Sequence, residues 1–267
     1  MSQNIILIET STALCSVALV ENGQITAYRE SSAPKAHASL TAVFIQEMFD
    51  ERGLALSQCD AVCVSKGPGS YTGLRVGVST AKGLCFGSKK PLLAVGTLDT
   101  LVAQAQMADQ AGHDVIPDMI GEPKFIIPMI DARRMEVYSA VFAFNPELPS
   151  CHPEANAKVI DEVAEANAED SARYRQITET APAIIDENSF AEYLDQGSCL
   201  FIGDGAGKCA DVIQHPNAHF CQCYPTAAAM LAPALEAYKE KRFEDVAYFE
   251  PFYLKEFVAT VSKKKLW

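Results

Sequence analysis

Apolar residues in this chain fall first into short unbroken runs and then into helically spaced sets, and the alternation between the two lays out the elements. IILI at 5–8 is a continuous apolar run of strand length. A polar turn at Ser11 and Thr12 separates it from CSVALVENG, which closes on Asn22-Gly23, a pair suited to a two-residue hairpin. QITAYRE then completes a three-strand meander. From Ala38 to Arg52 the apolar positions Leu40, Val43, Phe44, Met48 and Phe49 recur at helical spacing, with Gly53 placed to cap the helix. DAVCVS (60–65) is a further buried strand, running into SKGPGSYTGLRVG (65–77). A helix over Gly73–Phe86, a strand at PLLAV and a helix starting near Thr97 follow.

The order βββαβαβα predicts an α/β layer fold with a mixed sheet, in a unit ending near residue 106. Residues 107–124, rich in Gly, Pro and Asp, read as a linker. FIIPMID, a turn at Ala132-Arg133-Arg134, and MEVYSAVFAF then repeat the opening theme: a strand ending in an acid, a short turn, a returning strand. The acidic, alanine-rich stretch 150–198 gives no clear pattern. CLFIG (199–203) leads into a second glycine loop, GDGAGK, and a helix to about Gln214; a last helix covers roughly Thr226–Lys241.

Composition narrows the classes. At 267 residues and 49% hydrophobic the chain can bury a substantial core. A net charge of −12 makes it a poor ligand for a phosphate backbone on its own. Its one dense basic run, Lys263–Lys265, reads as a solvated tail. MSQNIILIET lacks the charged start and long apolar core of a signal peptide, and no apolar run is long enough to span a bilayer. Nine cysteines without a framework fit a reducing compartment, so a cytoplasmic location is expected.

Several stretches invite chemistry. In the first glycine loop, Gly67, Gly69 and Gly73 are spaced one residue too long for a dinucleotide fingerprint. Two readings stand: a backbone cradle for an anion at a helix start, or a tight strand-to-helix turn with Thr72 as cap. FIGDGAGK fails as a Walker loop, with Ile202 in place of the first glycine and Cys209 in place of Ser or Thr. His215, His219, Cys221 and Cys223 crowd together but match no zinc spacing. Glu9 and Asp131 each end a strand, where a carboxylate can hold a metal, orient water or cap its own turn. No Ser-His-Asp or Cys-His arrangement is legible. In the helix after the loop, Gly73, Gly77 and Ala81 form one row of small residues and Ser79, Gly83 and Gly87 a second. Each interior glycine costs about 1 kcal/mol relative to alanine, so another backbone is expected close by, either a partner helix or the chain's own sheet.

IILIETSTALCSVALVENG, GPGSYTGLRVGVSTAKGL, AVGTLDTL, IDARRMEVY and PFYLKEFVA together resemble the bacterial tRNA threonylcarbamoyladenosine biosynthesis family TsaB, also called YeaZ. The resemblance implies two ribonuclease-H-like domains of the kind shared by actin, sugar kinases and the heat-shock ATPase. Their expected extents are 1–106, completed by helical residues 226–245, then 107–225, with a C-terminal extension at 246–267. It implies a non-catalytic subunit that supports the related catalytic protein TsaD, which transfers a threonylcarbamoyl group to the adenosine beside the anticodon of tRNAs reading codons that begin with A. TsaD carries a metal-binding H-x-x-x-H pair where this chain has Thr97 and Leu101, and neither side chain can replace an imidazole ligand.

The implied docking surface comprises His37, Leu40, Phe44, Leu74, Gly77, Ala81 and Leu84. Gly67, Pro68, Gly69, Ser70, Thr72, Gly73 and Arg75 are then an inherited loop scaffold. No catalytic, cofactor or metal residue is implied in this chain; ATP and metal belong to partner subunits. TsaD is the direct partner, TsaE joins through the complex, TsaC supplies the threonylcarbamoyl-adenylate, and tRNA is met only indirectly. A homodimer is implied when the chain is alone, and no membrane contact. The competing readings are an independent ATPase or phosphotransferase of the same fold, and a metallopeptidase.

Overall fold

The computed structural model describes residues 3–110, 122–145 and 173–254. Its first half is built from β1 (Asn4–Glu9), β2 (Cys15–Glu21), β3 (Gln24–Ser31), α1 (Ala36–Arg52), β4 (Ala61–Gly67), α2 (Tyr71–Ser88), β5 (Leu92–Gly96) and α3 (Thr97–Gln110). The sheet runs β3-β2-β1-β4-β5, with β1, β2 and β3 antiparallel and β4 and β5 parallel to β1. Asn22 and Gly23 both take positive φ, as the hairpin turn requires. Central strands buried on both faces need continuous apolar sequence, which is why IILI does not alternate. Ile6 and Ile8 face one core with Ile45, Met48, Val78 and Ala81 of α1 and α2. Ile5 and Leu7 face the other, with Ala227, Met230, Ala234 and Ala237.

The second half comprises β6 (Phe125–Asp131), β7 (Glu136–Ser139), β8 (Phe142–Phe144), β9 (Tyr174–Gln176), β10 (Ala181–Ile184), α4 (Ala191–Leu194), β11 (Cys199–Gly203), α5 (Ala206–Ala210), β12 (Ala218–Gln222) and, after a 3-10 turn, α6 (Leu231–Lys239). Its main path is β10-β7-β6-β11-β12, with β7 and β10 antiparallel and β11 and β12 parallel to β6. Position by position this repeats the order and directions of the first sheet. The repeat that sequence only hints at is thus a repeat of topology.

Some expectations shift. The patternless stretch contributes β9, β10 and α4 from residue 173 onward, and the helix after GDGAGK ends at Ala210, not near Gln214. Buried Leu98, Leu101, Val102 and Ala105 of α3 pack with Ile126, Ile130, Leu200 and Ile202, so this helix joins the second core rather than closing the first. Most of the expected linker and the Lys263–Lys265 run lie outside the described residues. What is described of the C-terminal extension is a strap on the first half. Val246 and Phe249 pack on its core, Lys82 donates to the carbonyls of Ala247 and Phe249 at 3.0 and 3.1 Å, and Phe252 N donates to Lys66 O at 2.7 Å. Among the described residues no helix is long and apolar enough to cross a membrane.

Candidate functional site

The first glycine loop lies against the β1–β2 turn. Ser70 N donates to Ser11 O at 2.6 Å, and Ser70 Oγ caps α2 by accepting from Gly73 N at 3.3 Å. Ser70 is therefore the cap, and Thr72, the expected cap, is exposed inside the first turn. A Cβ added to Gly69 would lie closer than 3.0 Å to Ser11 O, one on Gly73 as close to Thr10 O, and one on Gly77 as close to Thr10 Oγ1. These glycines bring α2 onto the turn. The Ser70 and Gly73 amides, which an anion cradle would present, already have acceptors within the chain. Gly67 and Pro68 are buried, Gly67 against the Phe252 carbonyl of the C-terminal strap, and exposed Arg75 donates to Tyr71 Oη at 3.1 Å, whose ring is tilted against that of Tyr253 with centroids 4.9 Å apart.

Glu9 ends β1 with no exposed surface, and its Oε1 accepts from Ser11 N at 2.7 Å. Burial pushes its carboxyl up to about 7. Asp131 ends β6 and caps its own turn in the same way, accepting from Arg133 N at 2.9 Å, but it is exposed and ion-paired with Lys208. Lys208 also donates to Arg134 O and Glu136 O at 2.8 and 2.7 Å. The lysine of GDGAGK thus ties down the β6–β7 turn instead of reaching for a phosphate. Burial pushes Asp204 in the same loop up to about 6, and its Oδ1 accepts from Asp131 N.

His215 to Cys223 is likewise no ligand set. His215 Nδ1 accepts from Asn217 N at 3.1 Å, and no group of three His, Cys, Asp or Glu among the described residues is placed to hold a metal. Thr97 is buried with its Oγ1 2.9 Å from Ser65 Oγ, and Leu101 is fully buried in the second core.

The expected docking residues separate into two groups. Leu74, Gly77 and Ala81 are fully buried or nearly so against the chain's own β1–β2 turn and sheet, and they leave the proposed surface. The physical reason is the fit to Thr10: the Gly73-Gly77-Ala81 row serves an internal contact. His37, Leu40, Phe44 and Leu84 stay half-exposed, His37 with its Nε2 2.9 Å from Thr12 O. The core face of α1 carries Ala36, Thr41, Ile45, Met48 and Phe49, so Val43 points outward, 44% exposed. On α2 it is the second row that is open: a Cβ on Gly83 or Gly87 would meet nothing within 4 Å, and Phe86 is 83% exposed. Two packed helices therefore carry open positions at Leu40 and Val43 of α1 and at Gly83, Phe86 and Gly87 of α2, while Phe44 and Leu84 rest in part on the first core.

The family described as "TsaD: tRNA N6-adenosine threonylcarbamoyltransferase" matches residues 29–263. The chain is 27% identical to a tRNA threonylcarbamoyladenosine biosynthesis protein TsaB from Haemophilus influenzae, over 99% of this chain and 98% of that one. A TsaB from Escherichia coli is 33% identical over 52% of this chain and 54% of its own. Among solved structures, YeaZ from Pseudomonas aeruginosa superposes with a TM-score of 0.70 at 24% identity, covering 94% of this chain and 100% of that one, so the two share one fold. With a family match over most of its length and TsaB relatives along it, the chain belongs to the TsaD family, on its TsaB (YeaZ) branch.

Proposed function

We propose that the chain is a non-catalytic subunit of tRNA threonylcarbamoyladenosine biosynthesis that docks on a TsaD protein and supports its transfer reaction. The observation that carries this reading is the open surface of α1 and α2, with Leu40 and Val43 on one helix and Gly83 and Gly87 on the other, where a partner helix can approach backbone to backbone. The internal duties of Thr97, Leu101 and Lys208 support it, because the positions where relatives or motifs would carry chemistry are held in packing and turn contacts. TsaD, with TsaE and the adenylate made by TsaC, supplies the chemistry, the ATP and the metal. The same helix face covers itself by homodimerisation when TsaD is absent.

Reconstitution tests this. Threonylcarbamoyl-adenosine formation should require TsaD, rise on adding this chain, and be absent with this chain alone. Turnover by the chain freed of TsaD, or a full rate from the partners without it, would overturn the assignment.

A further inference from the structure

The β6–β7 turn carries two arginines side by side, Arg133 and Arg134, both exposed and both with positive φ, 71° and 52°. That region of backbone suits glycine or asparagine, because a Cβ there crowds the following carbonyl oxygen. Two long side chains in succession at such positions point to a duty for the side chains themselves. The backbone beneath them is fixed. Arg133 N donates to Asp131 Oδ1 at 2.9 Å, Glu136 N donates to Arg133 O at 3.2 Å, and Lys208 donates to Arg134 O at 2.8 Å.

The two guanidinium groups make no hydrogen bond or ion pair among the described residues. Arg29, Arg52, Arg173 and Arg242 each pair with a glutamate, Arg75 lies over Tyr71, and Arg175 of β9 is the other arginine left free. Even Asp131, in the same turn, pairs with Lys208 and not with the arginines. In a chain of net charge −12, two adjacent arginines without an internal acid point to an anion from outside. The matching turn of the first lobe is the opposite case: Thr10 and Ser11 are buried against the first glycine loop and neither has positive φ.

We propose that Arg133 and Arg134 grip phosphates of the tRNA backbone while the chain is docked on TsaD. This rests on the docking reading above and adds a direct tRNA contact, where the family resemblance implies only an indirect one. The planar fork of arginine binds phosphate oxygens through paired N–H bonds and keeps its charge throughout the physiological pH range. Two such forks on one fixed turn suit neighbouring phosphates of one strand. The turn belongs to the second lobe, whereas α1 and α2 pack on the sheet of the first, so the arginines are not part of the docking face. The acidic balance of the rest of the chain confines the contact to this turn and keeps it weak without TsaD.

The test titrates dye-labelled, unmodified tRNA with the TsaD complexes of the wild type and of Arg133→Gln combined with Arg134→Gln, over a range of salt. Each chain is also titrated alone at low salt, and calorimetry measures its binding to TsaD. One phosphate contact contributes about 0.7–0.9 to the slope of log affinity against log salt. The double variant should therefore lower that slope by about 1.4 to 1.8 and weaken tRNA binding about tenfold or more at low salt, with TsaD binding unchanged. Should it fold poorly, Arg134→Gln alone should show half the change in slope. Wild-type slope and affinity in the variants overturn the proposal. So does loss of TsaD binding by the double variant, which would assign the arginines to an acidic surface on TsaD. A wild-type chain that fails to bind TsaD overturns the docking reading instead, and the titrations of the chains alone then decide the arginines.

Discussion

The two lobes solve one problem in two ways. Each begins with a strand ending in an acid, turns sharply, returns antiparallel, and is later pressed by a glycine loop following a parallel strand. In the first lobe the acid is Glu9, sealed from solvent and pushed toward neutrality, and the loop docks through bare glycine backbone on Thr10 and Ser11. In the second the acid is Asp131, exposed and paired with Lys208, while Gly205 N donates to Met129 O at 3.0 Å. The backbone frame is common to both and the charge arrangement is not. Glycine in these loops answers to close packing against the neighbouring turn.

The largest effect should come from filling the first lobe's contact. Gly77→Leu drives a side chain into Thr10 and should cost about 3 kcal/mol or more, seen as a much reduced denaturation midpoint. Gly77→Ala should also destabilise, whereas Gly83→Ala, on the open row, should gain up to ~1 kcal/mol. If Gly77→Ala proves the stabilising one, the assignment of the two rows is reversed.

The acids should separate the lobes by pH. Glu9 has a folded value near 7 against an ordinary 4.5, so between those values the folded chain holds the extra proton. Its contribution therefore falls as pH rises through that window and levels off above it, by about 3 kcal/mol in all. Glu9→Gln should reduce this slope in denaturant unfolding, most clearly between about pH 6 and 7, above the value of Asp204, which adds a slope of the same sign at lower pH. An unchanged slope would show that Glu9 is not the group responsible.

In the second lobe, Lys208→Met strands Asp131 and two turn carbonyls and should cost about 2 kcal/mol. The amides of residues 132–136 should exchange hydrogen faster. Wild-type exchange there would mean that the turn holds without its lysine.

The strands, the hairpin at Asn22-Gly23 and the helix positions were legible because apolar runs, turn residues and periodicity are local signals. The orientation of α1 was not. Leu40, Val43 and Phe44 are as apolar as Ile45, Met48 and Phe49, so the helix offers two greasy faces, and its core face even includes Thr41, whose hydroxyl donates to His37 O at 2.6 Å. Which small row of α2 turns inward depends on Thr10, more than sixty residues earlier, and Lys208 finds Asp131 across 77 positions. The strap formed by Val246, Phe249 and Phe252 is equally non-local. Such contacts follow from the fold, and no spacing in the sequence announces them.

The central claim is that the outward face of α1 and α2 receives TsaD. Val43 tests it most cleanly, because its side chain is 44% exposed and belongs to neither core. Calorimetric titration of TsaD with wild type and with Val43→Asp, beside thermal melts of both, makes the comparison. Burying a carboxylate in an apolar contact should weaken binding at least tenfold, about 1.4 kcal/mol, with the melting temperature unchanged. Equal affinities for the two proteins would contradict the account and place the TsaD contact elsewhere on the chain.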